Sequence, residues 1–176
     1  MVKSFYLNNI VYYISGSASV IFVLSFFQPG LFRIAVLILI LLVVAILLDG
    51  LLLFSKRKGL LAKRITTDRF SIGDPNNVVI QLYNKYSFPV RVSVIDELPV
   101  QFQERNWIRK AKIENDPVAI AYSLVPTTRG EYIFDDINVF VHGPLQLVKR
   151  RYIFPATQTE KVYQSYIQMR RYQLHA

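Results

Sequence analysis

Adjacent carboxylates are the first residues in this 176-residue chain whose types and spacing suggest chemistry. Asp96-Glu97 and Asp135-Asp136 are both side-by-side acids, and paired acids can serve general acid–base catalysis when both reach one substrate. Neighbouring residues of a strand point to opposite faces of a sheet. Neither pair shares one site if it lies within a strand, so we expect turn or edge positions for both.

Histidine and cysteine are scarce. The chain has two histidines, His142 beside a turn and His175, and no cysteine. The composition therefore excludes thiolate nucleophiles and cysteine-based zinc sites, and two histidines are too few for a histidine-rich metal cluster. We predict a non-enzymatic protein without cofactor or metal. The alternative is a hydrolase-type enzyme with a site around His142 and nearby Asp135, Asp136 or Arg129, although no nucleophile-elbow motif supports it.

Basic residues dominate the charge, which is +9 and favours anionic partners. The run Lys149-Arg150-Arg151 lies beside aromatic residues, a combination that nucleic-acid-binding surfaces use. Within a strand, however, Arg150 faces away from its two neighbours, which dilutes the patch. We favour a solvated face or attraction to anionic lipid headgroups, and a membrane-tethered nucleic-acid binder stays an alternative.

Trp107 is the single tryptophan, and it lies in the least regular stretch of the chain, 103–117. It either fills the core or marks an exposed contact, and the core is the favoured interpretation. Trp107 and four basic side chains are the possible interaction residues. That set is Trp107, Arg129, Lys149, Arg150 and Arg151.

Two apolar runs near the N-terminus, 10–27 and 31–54, predict membrane-spanning helices. About 20 apolar residues suffice to cross a bilayer core of about 30 Å. Gln28-Pro29-Gly30 separates the runs, and Pro and Gly allow a tight reversal. Residues 36–48 contain no polar side chain, which argues against a soluble helix pair. A second span follows the first directly, which argues against a cleaved signal peptide.

Two features inside the predicted hairpin need an explanation. Small residues fill 15–19 of the first span, and we expect them to pack against the second span, the alternative being contact with another membrane protein. Asp49 is the one acid in a span. Because a charge at mid-bilayer is costly, we expect Asp49 at the interface, paired with Lys56 or Arg57.

The charges that flank the spans predict the orientation. Five basic residues follow the second span, whereas the turn between the spans offers only Arg33. Basic residues remain on the cytoplasmic side, so we predict a multi-pass inner-membrane protein whose β domain faces the cytoplasm, and Lys3 agrees. The five also form the predicted membrane-surface site: Lys56, Arg57, Lys58, Lys63 and Arg64.

Beyond the spans the apolar pattern changes to a period of two, as in Val90, Val92 and Val94, which is typical of half-buried strands. Gly-, Asn- and Pro-containing turns separate the runs. Seven or eight short strands predict an antiparallel β-sandwich of the immunoglobulin type. The predicted strands are 64–70, 78–84, 90–95, 119–125, 131–134, 137–141, 145–153 and 161–166.

The chain therefore divides into five parts. Residues 1–9 form an N-terminal tail, 10–54 the transmembrane hairpin, and 55–64 a basic juxtamembrane linker. Residues 65–166 form the β-sandwich domain. In 167–176 the spacing becomes helical, which we interpret as the start of a further C-terminal region.

Several short motifs, taken in order, resemble one bacterial family. They are Gly73-Asp74-Pro75-Asn76, Asp96-Glu97-Leu98-Pro99 before Gln101-Phe102, 126–132 (PTTRGEY), Ile137 to Val141, Gly143-Pro144-Leu145, Arg150-Arg151 and Gln168-Met169-Arg170. With the basic-flanked hairpin before them, they resemble the N-terminal part of domain-of-unknown-function 58 proteins, of a Bacteroidetes type.

The resemblance implies a role in a membrane complex. Members of that family continue into a region related to von Willebrand factor A domains and are associated with MoxR-type AAA+ ATPases. The resemblance therefore implies an interaction or scaffold module whose protein partner is an AAA+ ATPase. Membrane lipids are the other expected partner, and nucleic acid is disfavoured. The metal-binding Asp-X-Ser-X-Ser motif of that region does not occur in this chain.

Overall fold

The computed structural model describes residues 4–67, 69–104, 107–114 and 116–164. The chain forms two helices, α1 (Asn9–Leu24) and α2 (Gly30–Phe54), and a mostly antiparallel β domain, whose first strand precedes the helices and whose other strands follow them. Its strands are β1 (Phe5–Leu7), β2 (Leu60–Thr66), β3 (Phe70–Ser71), β4 (Asn76–Asn84), β5 (Val90–Asp96), β6 (Ile108–Ile113), β7 (Val118–Leu124), β8 (Gly130–Phe134), β9 (Ile137–His142), β10 (Val148–Phe154) and β11 (Gln158–Tyr163).

The two helices form the predicted hairpin. Helix α1 ends at Leu24, earlier than the predicted Phe27, and α2 begins at Gly30 directly after Pro29. Ala18 of α1 and Ala35 of α2 are fully buried, as expected where small side chains let helices approach closely. The packing interpretation of the small-residue stretch is therefore confirmed for Ala18.

Helix α2 is long and apolar enough to cross a membrane, with a mean hydropathy of 3.3 in its most apolar window, of which 11% is buried. Helix α1 has 16 residues and belongs with the shorter apolar helices. Large apolar side chains of both helices face outward, among them Tyr13 and Leu51. A helix that is apolar all round requires an apolar environment on its exposed sides.

The strands form three sheets. One has the order β1-β10-β9-β5-β6, and the other two have the orders β2-β4-β7 and β3-β11-β8. The pairing of β3 with β11 is parallel, and the other pairings are antiparallel.

The core lies between packed β layers, because alternate residues of each strand point inward. Val92 and Val141, which pair across β5 and β9, pack in one cluster with Ile80 of β4. The same cluster contains Leu53 of α2 and so reaches the hairpin. A second cluster surrounds Tyr132, whose hydroxyl donates to Thr128 O at 3.0 Å. Such a bond is typical of the tyrosine corner of immunoglobulin-type sandwiches.

The structure differs from the predicted organisation at three places. The predicted tail 1–9 contains strand β1, whose residues pair with β10 and extend the sheet. The predicted linker 55–64 ends at residue 59, because β2 begins at Leu60. The irregular stretch 103–117 contains β6, an edge strand whose exposed basic residues hide the alternation. The predicted helical region 167–176 lies outside the described residues.

Candidate functional site: the junction between hairpin and β domain

Asp49 joins α2 to the β domain. Its carboxylate is fully buried and accepts backbone N–H bonds from Leu145, Leu147 and Val148, each at 2.9 Å. Leu145 and Leu147 belong to the turn between β9 and β10, and Val148 is the first residue of β10. A carboxylate that accepts three N–H groups replaces the water it loses on burial. The predicted pairing of Asp49 with Lys56 or Arg57 is therefore wrong, because a backbone turn provides its partners.

The β9–β10 turn fits Asp49 closely because of Gly143. A Cβ on this residue would lie 2.3 Å from Asp49 Oδ1, so only glycine leaves room for the carboxylate. Gln146 adopts a left-handed φ of 58° that closes the turn. The N-cap residue of α1, Asn8, holds the same turn with its side-chain amide, 2.6 Å from Gln146 O. Both helices thus meet one loop of the β domain.

Arg150 of β10 caps the C-terminal end of α2. Its guanidinium donates to Leu53 O at 3.0 Å, Lys56 O at 2.7 Å and Arg57 O at 3.1 Å, and lies over the Phe54 ring. The last carbonyls of a helix lack partners within it and carry partial negative charge. A cation that donates to them therefore stabilises the helix end on the strand.

A tyrosine pair completes the junction. Tyr86 donates its hydroxyl to Leu53 O at 2.8 Å and lies 2.7 Å from the hydroxyl of Tyr152. Burial, followed by the hydrogen bond with Tyr152, raises the pKa of Tyr86 above its usual range, so this hydroxyl stays protonated. Gly59 lies against the Tyr86 ring, where an added Cβ would come within 2.1 Å of the ring carbon Cζ.

Arg64 lies inside the domain. Its guanidinium forms an ion pair with Asp96, and both side chains are almost fully buried. It also donates to Ala156 O at 2.7 Å and Asp135 O at 2.9 Å. Tyr122 donates to Asp96, and burial raises the pKa of this tyrosine. Arg64 is therefore wrong as a membrane-surface residue, because strand β2 turns it into the core.

The other predicted membrane-surface residues, Lys56, Arg57, Lys58 and Lys63, are exposed. Lys56 and its two neighbours directly follow α2, and Lys63 lies on the outer face of β2. Lys56 also donates to Lys85 O at 2.6 Å. Three cations therefore lie close to the helix end, as the sequence indicates.

The predicted interaction residues separate into three groups. Trp107 is buried and packs on Tyr122 with ring centroids 4.4 Å apart, so the core interpretation is confirmed. Arg150 belongs to the junction, where its guanidinium binds carbonyl groups at the end of α2. Lys149 and Arg151 point to the opposite face of β10, as alternation predicts, and Arg129 is exposed before β8.

The residues of the alternative enzyme site do not converge. Asp136 precedes β9 and His142 ends it, which separates them by about 20 Å in an extended strand. His142 Nε2 instead lies 3.3 Å from Ser93 Oγ. Desolvation, followed by the charges of Lys149, Lys110 and Arg91, lowers the pKa of this histidine. The charges that act on it are those of cations, and among the described residues no carboxylate forms a hydrogen bond with the imidazole as in a catalytic triad.

No protein-family model matches the chain, and no curated protein matches it. Two structures of the CARDB domain of the PF1109 protein from Pyrococcus furiosus are similar in part. A crystal structure in complex with di-metal ions is 14% identical and covers 59% of this chain and 87% of its own, with a TM-score of 0.38. A solution NMR structure is 14% identical and covers 61% and 96%, with a TM-score of 0.39.

At these TM-scores the similarity assigns neither fold nor function to this chain. Within the described residues, no three His, Asp or Glu side chains are grouped to hold a metal ion. The candidate site is a junction between a helical hairpin and a β domain.

Proposed function

We propose that this chain is a non-enzymatic, membrane-anchored interaction module. The hairpin crosses the inner membrane and the β domain lies at the cytoplasmic surface. The length of α2 supports this. The 19 residues from Gly30 to Leu48, before Asp49 contacts the β domain, span about 28 Å at 1.5 Å per residue. This matches the bilayer core of about 30 Å.

Helix α1 is the second proposed span. Its 16 residues reach about 24 Å, and the exposed aromatics at its two ends, Tyr12 and Tyr13 on one side and Phe26 and Phe27 on the other, suit the interfaces. Aromatic side chains are enriched at membrane–water boundaries. Strand β1 and the β domain then lie on the same side, because β1 pairs with β10.

The charges support the cytoplasmic orientation. Lys56, Arg57 and Lys58 are exposed directly after α2, whereas Arg33 is the basic residue near the turn between the helices. Basic residues within 15–20 residues of a span favour the cytoplasmic side.

The junction is the observation that carries the proposal of a scaffold role. Asp49, Arg150 and Tyr86 bind the end of α2 to the β9–β10 turn and β10, so the β domain has a fixed height and orientation relative to the spans. A docking surface that is held in this way loses less conformational entropy when it binds a partner than a domain on a flexible linker does. The partner that the family resemblance implies is a MoxR-type AAA+ ATPase.

Two experiments test the proposal. The chain should remain in the membrane fraction after alkaline carbonate extraction, and release into the soluble fraction would refute anchoring. The chain reconstituted in nanodiscs should then co-elute with a purified MoxR-type ATPase from the same genome. Failure to co-elute with and without nucleotide would refute this partner and leave the anchoring result intact.

A further inference from the structure

A row of basic side chains crosses the outer face of the five-stranded sheet. Lys149 of β10 pairs with His142 of β9, His142 pairs with Arg91 of β5, and Arg91 pairs with Lys112 of β6. Residues that are paired in register point to the same face of a sheet. With strands about 4.8 Å apart, the row is about 14 Å long. Lys110 lies on the same face of β6, two residues before Lys112.

Lys149, at one end of the row, lies near Asp49, the residue that interrupts the apolar run of α2. Lys149 directly follows Val148, whose N–H binds Asp49, and Arg150 then reaches the carbonyls of Leu53 and Lys56 further along α2. Strand β10 therefore runs away from the apolar stretch, and its first residues are the nearest to it. If the bilayer core ends near Leu48, the row runs parallel to the bilayer at the level of the headgroups.

The charges of this row are largely uncompensated. Among the described residues, Arg91, Lys110 and Lys149 form no ion pair, and Lys112 pairs with the exposed Glu114 at 2.6 Å. Shallow depressions of about 330 and 340 Å³ flank His142 on this face. The residues that line them include Ser93 and four cations, which are Arg91, Lys110, Lys112 and Lys149. These are the groups that bind phosphate oxygens.

We propose that the row of Arg91, Lys112 and Lys149 around His142 binds the phosphate headgroups of anionic phospholipids in the bilayer that holds the hairpin. This inference rests on the proposed membrane anchoring and adds a specific lipid contact to it. Basic side chains at an anionic leaflet gain favourable interaction within a Debye length of about 8–10 Å. The row meets that condition because the junction holds it at a fixed height.

The test measures lipid enrichment around the full chain in phosphatidylcholine nanodiscs. The natural chain has no cysteine, so Ile108→Cys on the same sheet face accepts a donor fluorophore at one site. Trace acceptor-labelled phosphatidylglycerol or phosphatidylcholine with identical acyl chains reports which headgroup is enriched. We expect several-fold more energy transfer to phosphatidylglycerol, and this preference should fall as the salt concentration rises.

Two triple variants with equal net charge separate the row from the total charge. Arg91→Gln, Lys112→Gln and Lys149→Gln should abolish the preference. Arg69→Gln, Arg129→Gln and Lys161→Gln, which remove exposed cations near the β3-β11-β8 sheet, should keep it. Equal energy transfer to both lipids from the chain with an unsubstituted row would overturn the inference. An equal loss of the phosphatidylglycerol preference in both triple variants would also overturn it. Incorporation into the nanodisc is scored separately, so that a failure of anchoring is distinguishable from a failure of the row.

A competition arm distinguishes other anionic ligands. Excess inorganic phosphate should leave the preference for phosphatidylglycerol in place, because a single free anion lacks the array that a leaflet presents. A single-stranded oligonucleotide that bound the labelled protein and displaced the lipid at physiological salt would overturn the inference in favour of a nucleic-acid surface.

Discussion

Asp49 is the residue on which the junction depends. Its replacement Asp49→Leu leaves the N–H groups of Leu145, Leu147 and Val148 without an acceptor. The bonds of the last two are buried, and each buried unsatisfied group costs about 1–3 kcal/mol. We expect a loss of about 3–5 kcal/mol of unfolding free energy, measured by denaturant titration in detergent. Asp49→Asn is the matched control, since it keeps one side-chain acceptor and should lose less. A stability of Asp49→Leu close to that of the natural protein would contradict the role assigned to Asp49.

His142 predicts a pH dependence of stability. Its folded-state pKa is lowered below the ordinary value of 6.5, so the unfolded chain binds the proton more tightly. Stability is therefore complete above about pH 6.5 and falls as the pH drops below it. Replacement His142→Asn should flatten the stability curve between about pH 6.5 and 5. A curve of unchanged slope would contradict the lowered pKa.

The cations that face His142 should account for part of that shift. Arg91, Lys110 and Lys149 surround the imidazole, and Ser93 is its hydrogen-bond partner. The variant Lys149→Gln removes one positive charge and should raise the pKa of His142, measured from the pH dependence of its imidazole NMR signals. Lys161→Gln on β11 is the control and should leave the pKa unchanged. An equal response of both variants would exclude a local effect of Lys149.

Residue types alone were a partial guide to these roles. The opposite directions of Arg150 and Lys149 follow from strand alternation, and the core position of Trp107 follows from its size. The partners of Asp49 could not be predicted, because backbone N–H groups of a turn almost 100 residues away have no signal in the sequence. The burial of Arg64 beside Asp96 likewise depends on the register of β2, which the basic run before it does not indicate.

At the scale of elements, the β9–β10 turn should tolerate no side chain at Gly143. Replacement Gly143→Ala places a Cβ 2.3 Å from Asp49 Oδ1, and we expect a loss of about 1–3 kcal/mol from the forced displacement. Gly16→Ala in α1 is the control, because an added Cβ meets no atom within 4 Å there, and alanine favours a helix over glycine. Thermal unfolding in detergent compares the two, and equal stability of both variants would refute the close fit.

The long elements were the most predictable. Both helices and most strands follow from apolar runs and alternation, and Pro29 with Gly30 marks the turn between the helices. The short strand β1 was missed because three residues have no period of their own, and it forms because β10 offers a free edge. Strand β6 was missed because its outward residues are mainly basic and its alternation is weak.

At the scale of the whole molecule, the hairpin and the β domain pack as one body through the end of α2. The core cluster that contains Leu53 also contains Val92 and Val141 of the five-stranded sheet. The sequence predicts the order of anchor and domain and their separate classes. The contact between them depends on the tertiary packing of the β9–β10 turn against the end of α2. The sequence therefore suggests a linker where the structure has a hydrogen-bonded junction.

The proposed membrane topology is tested most directly by the accessibility of single cysteines on either side of the hairpin. Because the natural chain has no cysteine, single variants report accessibility to a membrane-impermeant maleimide in spheroplasts. Gln28→Cys in the turn between the helices should react in intact spheroplasts. Lys161→Cys on β11 should react only after permeabilisation. Labelling of Lys161→Cys in intact spheroplasts would contradict a β domain held at the cytoplasmic surface by two spans.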